Sequence, residues 1–187
     1  MKTIHLTFSV ILLIGSLFGC GETKNRQDAK VESAEEIKDK KAATLDVADV
    51  SWKDGMTGKL FDNYLQLKMS LVNSDAEGAA TAAGNLAESL DERIEIKEIA
   101  TKISDTKELD GQRAAFSQLT AELGPLFKKS LSEGTIYKQY CPMAFNNQGA
   151  YWFADIKEIR NPYFGDKMLK CGQVDETISG INQVGYE

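Results

Sequence analysis

The chain has 187 residues, 42% of them hydrophobic and 27% charged, with a formal net charge of −6. That length and balance suit one globular domain with a sizeable core. The acidic balance and scattered lysines speak against nucleic acid as a partner, because phosphate binding needs a clustered positive footprint.

Met1-Lys2 opens the chain with a positive charge, Leu6 to Phe18 is an apolar run, and Leu17-Phe18-Gly19-Cys20 follows. This has the form of a bacterial lipoprotein signal, with a small residue at the cleavage point and then the cysteine that takes the lipid. The run is shorter than the roughly 20 residues that span a bilayer. Residues 1–19 therefore read as a signal peptide and Cys20 as the lipidation site. Several acyl chains on one cysteine anchor firmly, each buried methylene contributing about 0.8 kcal/mol. The expected location is the cell envelope, lipid-anchored, facing the periplasm or on the outer membrane, where thiols tend to be oxidised.

Residues 20–50 read as a charged linker: Glu22, Lys24, Arg26, Asp28, Lys30, Glu32 and their successors leave too little apolar surface to offset the entropy of ordering. Residues 51–187 then form the expected domain. Leu60, Tyr64, Leu67 and Leu71 recur at helical spacing and predict a helix over Thr57–Val72. Asn73-Ser74-Asp75 breaks it, and Ser74 with Glu77 has the form of a capping box for a second helix through Ala79, Ala82, Ala83, Leu86 and Leu90. Ile94, Ile96, Ile99, Ala100 and Ile103 predict a third, although Ile94-Glu95-Ile96 alternates like a strand. Leu109, Phe116 and Leu123 mark a fourth, with Leu119, Leu126, Phe127 and Leu131 widening its stripe and a kink expected at Gly124-Pro125. The fold class that follows is mainly α: an antiparallel helical bundle with a small C-terminal lobe, about residues 134–187, of short strands and turns.

In that lobe Tyr151-Trp152-Phe153 is strand-like, while Asn146 to Gly149 and Asn161 to Gly165 are turn signals. Asp166 is placed to cap a last short helix that would put Met168 and Cys171 on one face. The only histidine, His5, falls in the leader, so imidazole sites for zinc or copper(II) are unavailable to the mature chain. Two cysteines remain, each with a methionine nearby: Cys141-Pro142-Met143 and Met168-Leu169-Lys170-Cys171. Two readings stand side by side. Soft sulfur ligands select copper(I) or silver(I), which makes Cys141, Met143, Met168 and Cys171 a candidate metal site. Alternatively, Cys141 and Cys171 form a disulfide that braces a non-catalytic interaction module, with the methionines as packing. There is no Cys-x-x-Cys, no Gly-x-Ser-x-Gly and no phosphate-binding glycine loop, so the chain does not read as an enzyme. Tyr151 and Trp152 read as part of a small core in preference to a sugar-stacking platform.

Cys141-Pro142-Met143-Ala144, Gly149-Ala150-Tyr151-Trp152, Ile159 to Gly165 and Met168 to Gly172 together resemble a bacterial envelope family of unknown function. Leu71 to Ala76 and Gln112 to Phe116 fit the same pattern. Similar domains occur fused to periplasmic adaptors of heavy-metal efflux pumps. The resemblance implies metal handling, with an efflux adaptor or pump as partner beside the membrane itself.

Overall fold

The computed structural model describes residues 50–90 and 93–180. The expected signal peptide, Cys20 and the linker up to residue 49 lie outside the described residues. A short strand β1 (Ser51–Trp52) leads into four long helices, α1 (Gly55–Val72), α2 (Ala76–Glu88), α3 (Ile94–Asp105) and α4 (Leu109–Ser130). Strands β2 (Leu131–Glu133), β3 (Thr135–Cys141), β4 (Ala150–Ala154) and β5 (Gln173–Ser179) follow. The described residues are mostly helical, with a small strand-bearing region toward their C-terminal end. β1 pairs antiparallel with β2, and β3 is the central strand of an antiparallel sheet ordered β4-β3-β5.

Each helix packs on the next, and α4 also returns to α1 and lies against β4. The apolar stripes read from sequence are the buried ones: Leu60, Tyr64, Leu67 and Leu71 from α1, and Phe116, Leu119, Leu123 and Phe127 from α4. In α3 the buried face is Ile96, Ala100 and Ile103, while Ile94 is 67% exposed, so the segment is a helix throughout and its strand-like alternation is coincidental. α4 runs unbroken through Gly124-Pro125. A Cβ at Gly124 would meet the Phe153 ring at 2.9 Å, so the glycine is what lets the sheet approach the helix.

Two local expectations are corrected. The N-cap of α2 is Asp75, whose carboxylate accepts from Gly78 N–H at 2.9 Å. Ser74 is taken up in ending α1, in the left-handed region at φ 56°, where its hydroxyl accepts from Arg113 at 3.2 Å. Nor is there a helix carrying both Met168 and Cys171. Gly165–Lys167 makes one 3-10 turn, and Met168 leaves it at φ −150°, ψ 52°. Gly165 itself sits at φ +58° under Ser74 and the Val72 carbonyl, a position that fits a tight turn and not the start of a helix.

Tyr64 joins the layers. Its hydroxyl lies 2.8 Å from Thr120 Oγ1 and accepts from Phe153 N–H at 3.1 Å, linking α1, α4 and β4. On the same outer edge of β4, the Tyr163 hydroxyl donates to the Tyr151 carbonyl. Burial pushes the Tyr64 phenol far above its usual range, outweighing its two hydrogen bonds. A raised folded-state pKa contributes stability that is full below the unfolded value, near 10, and is lost as pH climbs past it. Tyr64→Phe should therefore cost about 1–3 kcal/mol near neutral pH, by orphaning the Phe153 N–H. It should also flatten the fall in stability on the alkaline side of the Tyr range. Denaturant titrations across pH check both effects.

Candidate thiol site

The antiparallel register of β3 and β5 builds the site. Tyr140 pairs with Gln173 and Gln139 with Val174, so the end of β3 lies against the residues just before β5. Cys141 ends β3 and Cys171 lies two residues before β5, and their Sγ atoms stand 3.4 Å apart across 30 residues of sequence. Cys141 is fully buried and Cys171 half-buried. The separation is a sulfur–sulfur contact, longer than the ~2.05 Å of a disulfide bond. Burial, then the hydrogen bond and charge of Cys141, push the Cys171 thiol above its ordinary pKa. Cys171 is therefore a protonated thiol at neutral pH, and any cation it binds must displace that proton.

The structure brings together the two cysteines singled out from sequence. Met143 stands 45% exposed at the head of the turn after Cys141, and Met168 is half-buried at the end of the 3-10 turn. With no helix between Met168 and Cys171, the shared face expected for them is absent. The turn behind Met143 is conformationally unusual: Phe145, Asn146 and Asn147 all have positive φ, at 52°, 56° and 68°. Left-handed backbone costs roughly 1–2 kcal/mol per non-glycine residue, so tertiary contacts must hold it. Phe145 packs edge-on against Tyr163 at 5.3 Å, and Gly149 N–H closes the turn on the Ala144 carbonyl at 2.9 Å.

Trp152 is fully buried while Tyr151 is 38% exposed, tilted against the Tyr140 ring at 4.6 Å and capped by the Lys138 ammonium at 3.7 Å. Adjacent strand residues face opposite sides, so the two rings do not make one sugar-stacking surface. Among the described residues, no group of three or more His, Cys, Asp or Glu side chains gathers as a metal cluster. A cation at this site would rest on the two thiols, with thioether or backbone groups as further donors. No helix among the described residues is long and apolar enough to cross a membrane.

Two residues shape the site without having stood out in the sequence. Arg113, on α4, donates from Nε to the Pro162 carbonyl at 2.9 Å and from an η nitrogen to the Leu71 carbonyl and Ser74 hydroxyl at 3.2 Å each. It fastens the loop leading to Cys171 onto the α1–α2 corner. Asn161 is fully buried, and its carboxamide donates to the Cys171 carbonyl at 2.7 Å. The visible signal was indirect: the Leu71–Ala76, Gln112–Phe116 and Ile159–Gly165 segments were read only as parts of a resemblance, and here Arg113 joins the first to the loop that holds Asn161.

Residues 60–134 match the model of a family described as Protein of unknown function (DUF3347). The match covers most of the helical part and ends before Cys141, so both sulfur motifs lie beyond it. No curated protein and no solved structure matches the chain. In residues 60–134 the chain is thus similar to a family whose function is itself undescribed.

Proposed function

We propose that this protein is a lipid-anchored envelope domain, a helical bundle presenting a sulfur lobe, that binds copper(I) or a similarly soft ion such as silver(I). Cys141 and Cys171 supply the thiolates, Met143 and Met168 are auxiliary thioether donors, and Cys20 carries the anchor. The ion is cargo, buffered or passed to an efflux adaptor or pump, and no catalytic step is involved. The observation behind this reading is the 3.4 Å approach of two thiols from distant parts of the chain, one buried and one reachable from solvent. Thiolate and thioether sulfur favour a soft monovalent ion over the harder divalent metals, and a d¹⁰ ion of this kind accepts low coordination numbers.

The same distance supports a second reading. Closing the sulfurs to about 2.05 Å would give a disulfide across a loop of about 30 residues, which stabilises by about 3.5 kcal/mol in the chain-entropy model. The domain would then be a braced interaction module.

Anaerobic copper(I) titration of the reduced chain against a chromophoric chelator separates the two. One ion per chain is expected, with tight binding lost in Cys141→Ser or Cys171→Ser. Replacing Met143 and Met168 by leucine should keep the packing and weaken binding about tenfold, or about 1.4 kcal/mol. Affinity should rise with pH as the Cys171 thiol deprotonates, and burial, which raises its pKa, extends that rise to more alkaline pH. A reduced chain indifferent to copper(I) would leave the disulfide brace as the function of the pair.

A further inference from the structure

Given the thiol pair as the working site, we infer that Asn161 is its positioning residue: it sets the distance between Cys171 and Cys141. Cys141 is fixed in the middle strand of the sheet, so the geometry of the pair depends on where the loop delivers Cys171. Asn161 spends nearly all its hydrogen-bonding capacity inside that loop. Its Nδ2 donates to the Cys171 carbonyl at 2.7 Å, and its Oδ1 accepts from Tyr163 N–H at 2.8 Å. Its own N–H donates to the Leu169 carbonyl at 2.9 Å, and its carbonyl accepts from Gly165 N–H at 3.0 Å. One side chain therefore ties the start of the loop to its end. Arg113 holds the adjacent Pro162 carbonyl to α4, so Asn161 stands on a fixed base.

The opposite side of Cys171 is equally constrained. At Gly172, with φ +146°, a Cβ would meet the Tyr140 carbonyl and the Trp152 ring at 2.9 Å each. The backbone after Cys171 thus lies pressed on β3 and β4, and the backbone of Cys171 hangs from Asn161. Aspartate at 161 keeps the size and can still accept from Tyr163, but it has no donor and sets a carboxylate against the Cys171 carbonyl. Serine is too short to reach that carbonyl.

The test reads the pair without any metal. In glutathione redox buffers, one protein thiolate attacks oxidised glutathione, forming a mixed disulfide and releasing one glutathione thiolate. The second protein thiolate then displaces the other glutathione. Two thiols lose two electrons to the glutathione disulfide, and their two protons pass to the released glutathione thiolates or to solvent. The equilibrium gives the effective concentration of one protein thiol at the other.

Asn161→Asp and Asn161→Ser should each lower that concentration about tenfold, raising the reduction potential by about 30 mV. Asn63→Ala is the control for general destabilisation. It removes an asparagine that links α1 to α2 through Asn85 O and Ser89 Oγ, and it should leave the redox equilibrium near wild type. Asn161 variants indistinguishable from this control would overturn the assignment. Should neither Asn161 variant fold, proton exchange of the Asn161 carboxamide in the wild type decides: slow exchange, with a resonance shift on oxidation of the pair, supports it, and exchange as fast as in an exposed asparagine overturns it. If the wild type takes no copper(I), the metal reading fails while the glutathione result still judges Asn161.

Discussion

Truncating Phe116 to alanine should cost about 3–5 kcal/mol of stability, the range for removing a fully buried phenylalanine. Phe116 has no exposed surface, stacks on Tyr64 at 5.1 Å and lies 6.0 Å from the Tyr163 ring. Tyr64 in turn meets Phe61 and Phe127, and Phe127 meets Phe153 on β4. The ring is therefore a shared wall between the helices and the C-terminal lobe, and a cavity there has rigid neighbours on both sides. Chemical denaturation with an unchanged m-value would show a pure loss of stability. A loss under about 1 kcal/mol would mean that the site collapses around the missing ring or that the packing is not as described.

Arg113→Met should be the second large loss, about 3 kcal/mol and a melting temperature lower by about 10 °C. Methionine preserves much of the apolar stem, so the change isolates the guanidinium. The Pro162 carbonyl loses its donor in a buried setting, and the α1–α2 corner loses its tie to the loop. The nearby Asp110 carboxylate at 3.8 Å is fully exposed, so that ion pair adds little to the loss. Thermal melts give the size of the effect. A wild-type melting temperature in the variant would show that the loop is held by Asn161 and the aromatic contacts alone.

The helices were legible because their burial is periodic. Leu60, Tyr64, Leu67 and Leu71 are spaced as one face must be, and nothing in the tertiary structure overrides them. Both cysteines of the site were also legible, as soft donors in a chain whose only histidine, His5, lies far from them in sequence. The way they meet was not. β5 reads Gln-Val-Asp-Glu-Thr-Ile-Ser, with alternate residues exposed and the others only half-buried, so its apolar signal is faint. Without that strand, Cys171 had to be placed on a helix. Asp166 as a cap supported that reading, and the long-range pairing of Gln173 and Val174 with Tyr140 and Gln139 overrode it. Arg113 and Asn161 were hidden for a related reason. Arg113 finds its partners 49, 42 and 39 residues away, and Asn161 earns its place through a bond to Cys171 that turn propensity does not encode.

The two tyrosine hydroxyls on the outer side of β4 have a further consequence. Phe153 N–H and the Tyr151 carbonyl are groups that a neighbouring strand would normally satisfy, and each is instead occupied by a phenol from Tyr64 or Tyr163. A hydroxyl ends the ladder where a strand would continue it, because it brings no backbone of its own to extend. β4 is thereby closed to strand addition, both by an extended peptide and by the corresponding strand of another copy. The sheet stays three strands wide on that side, and its growth into an intermolecular ribbon is blocked by the same two rings that hold it to the helices.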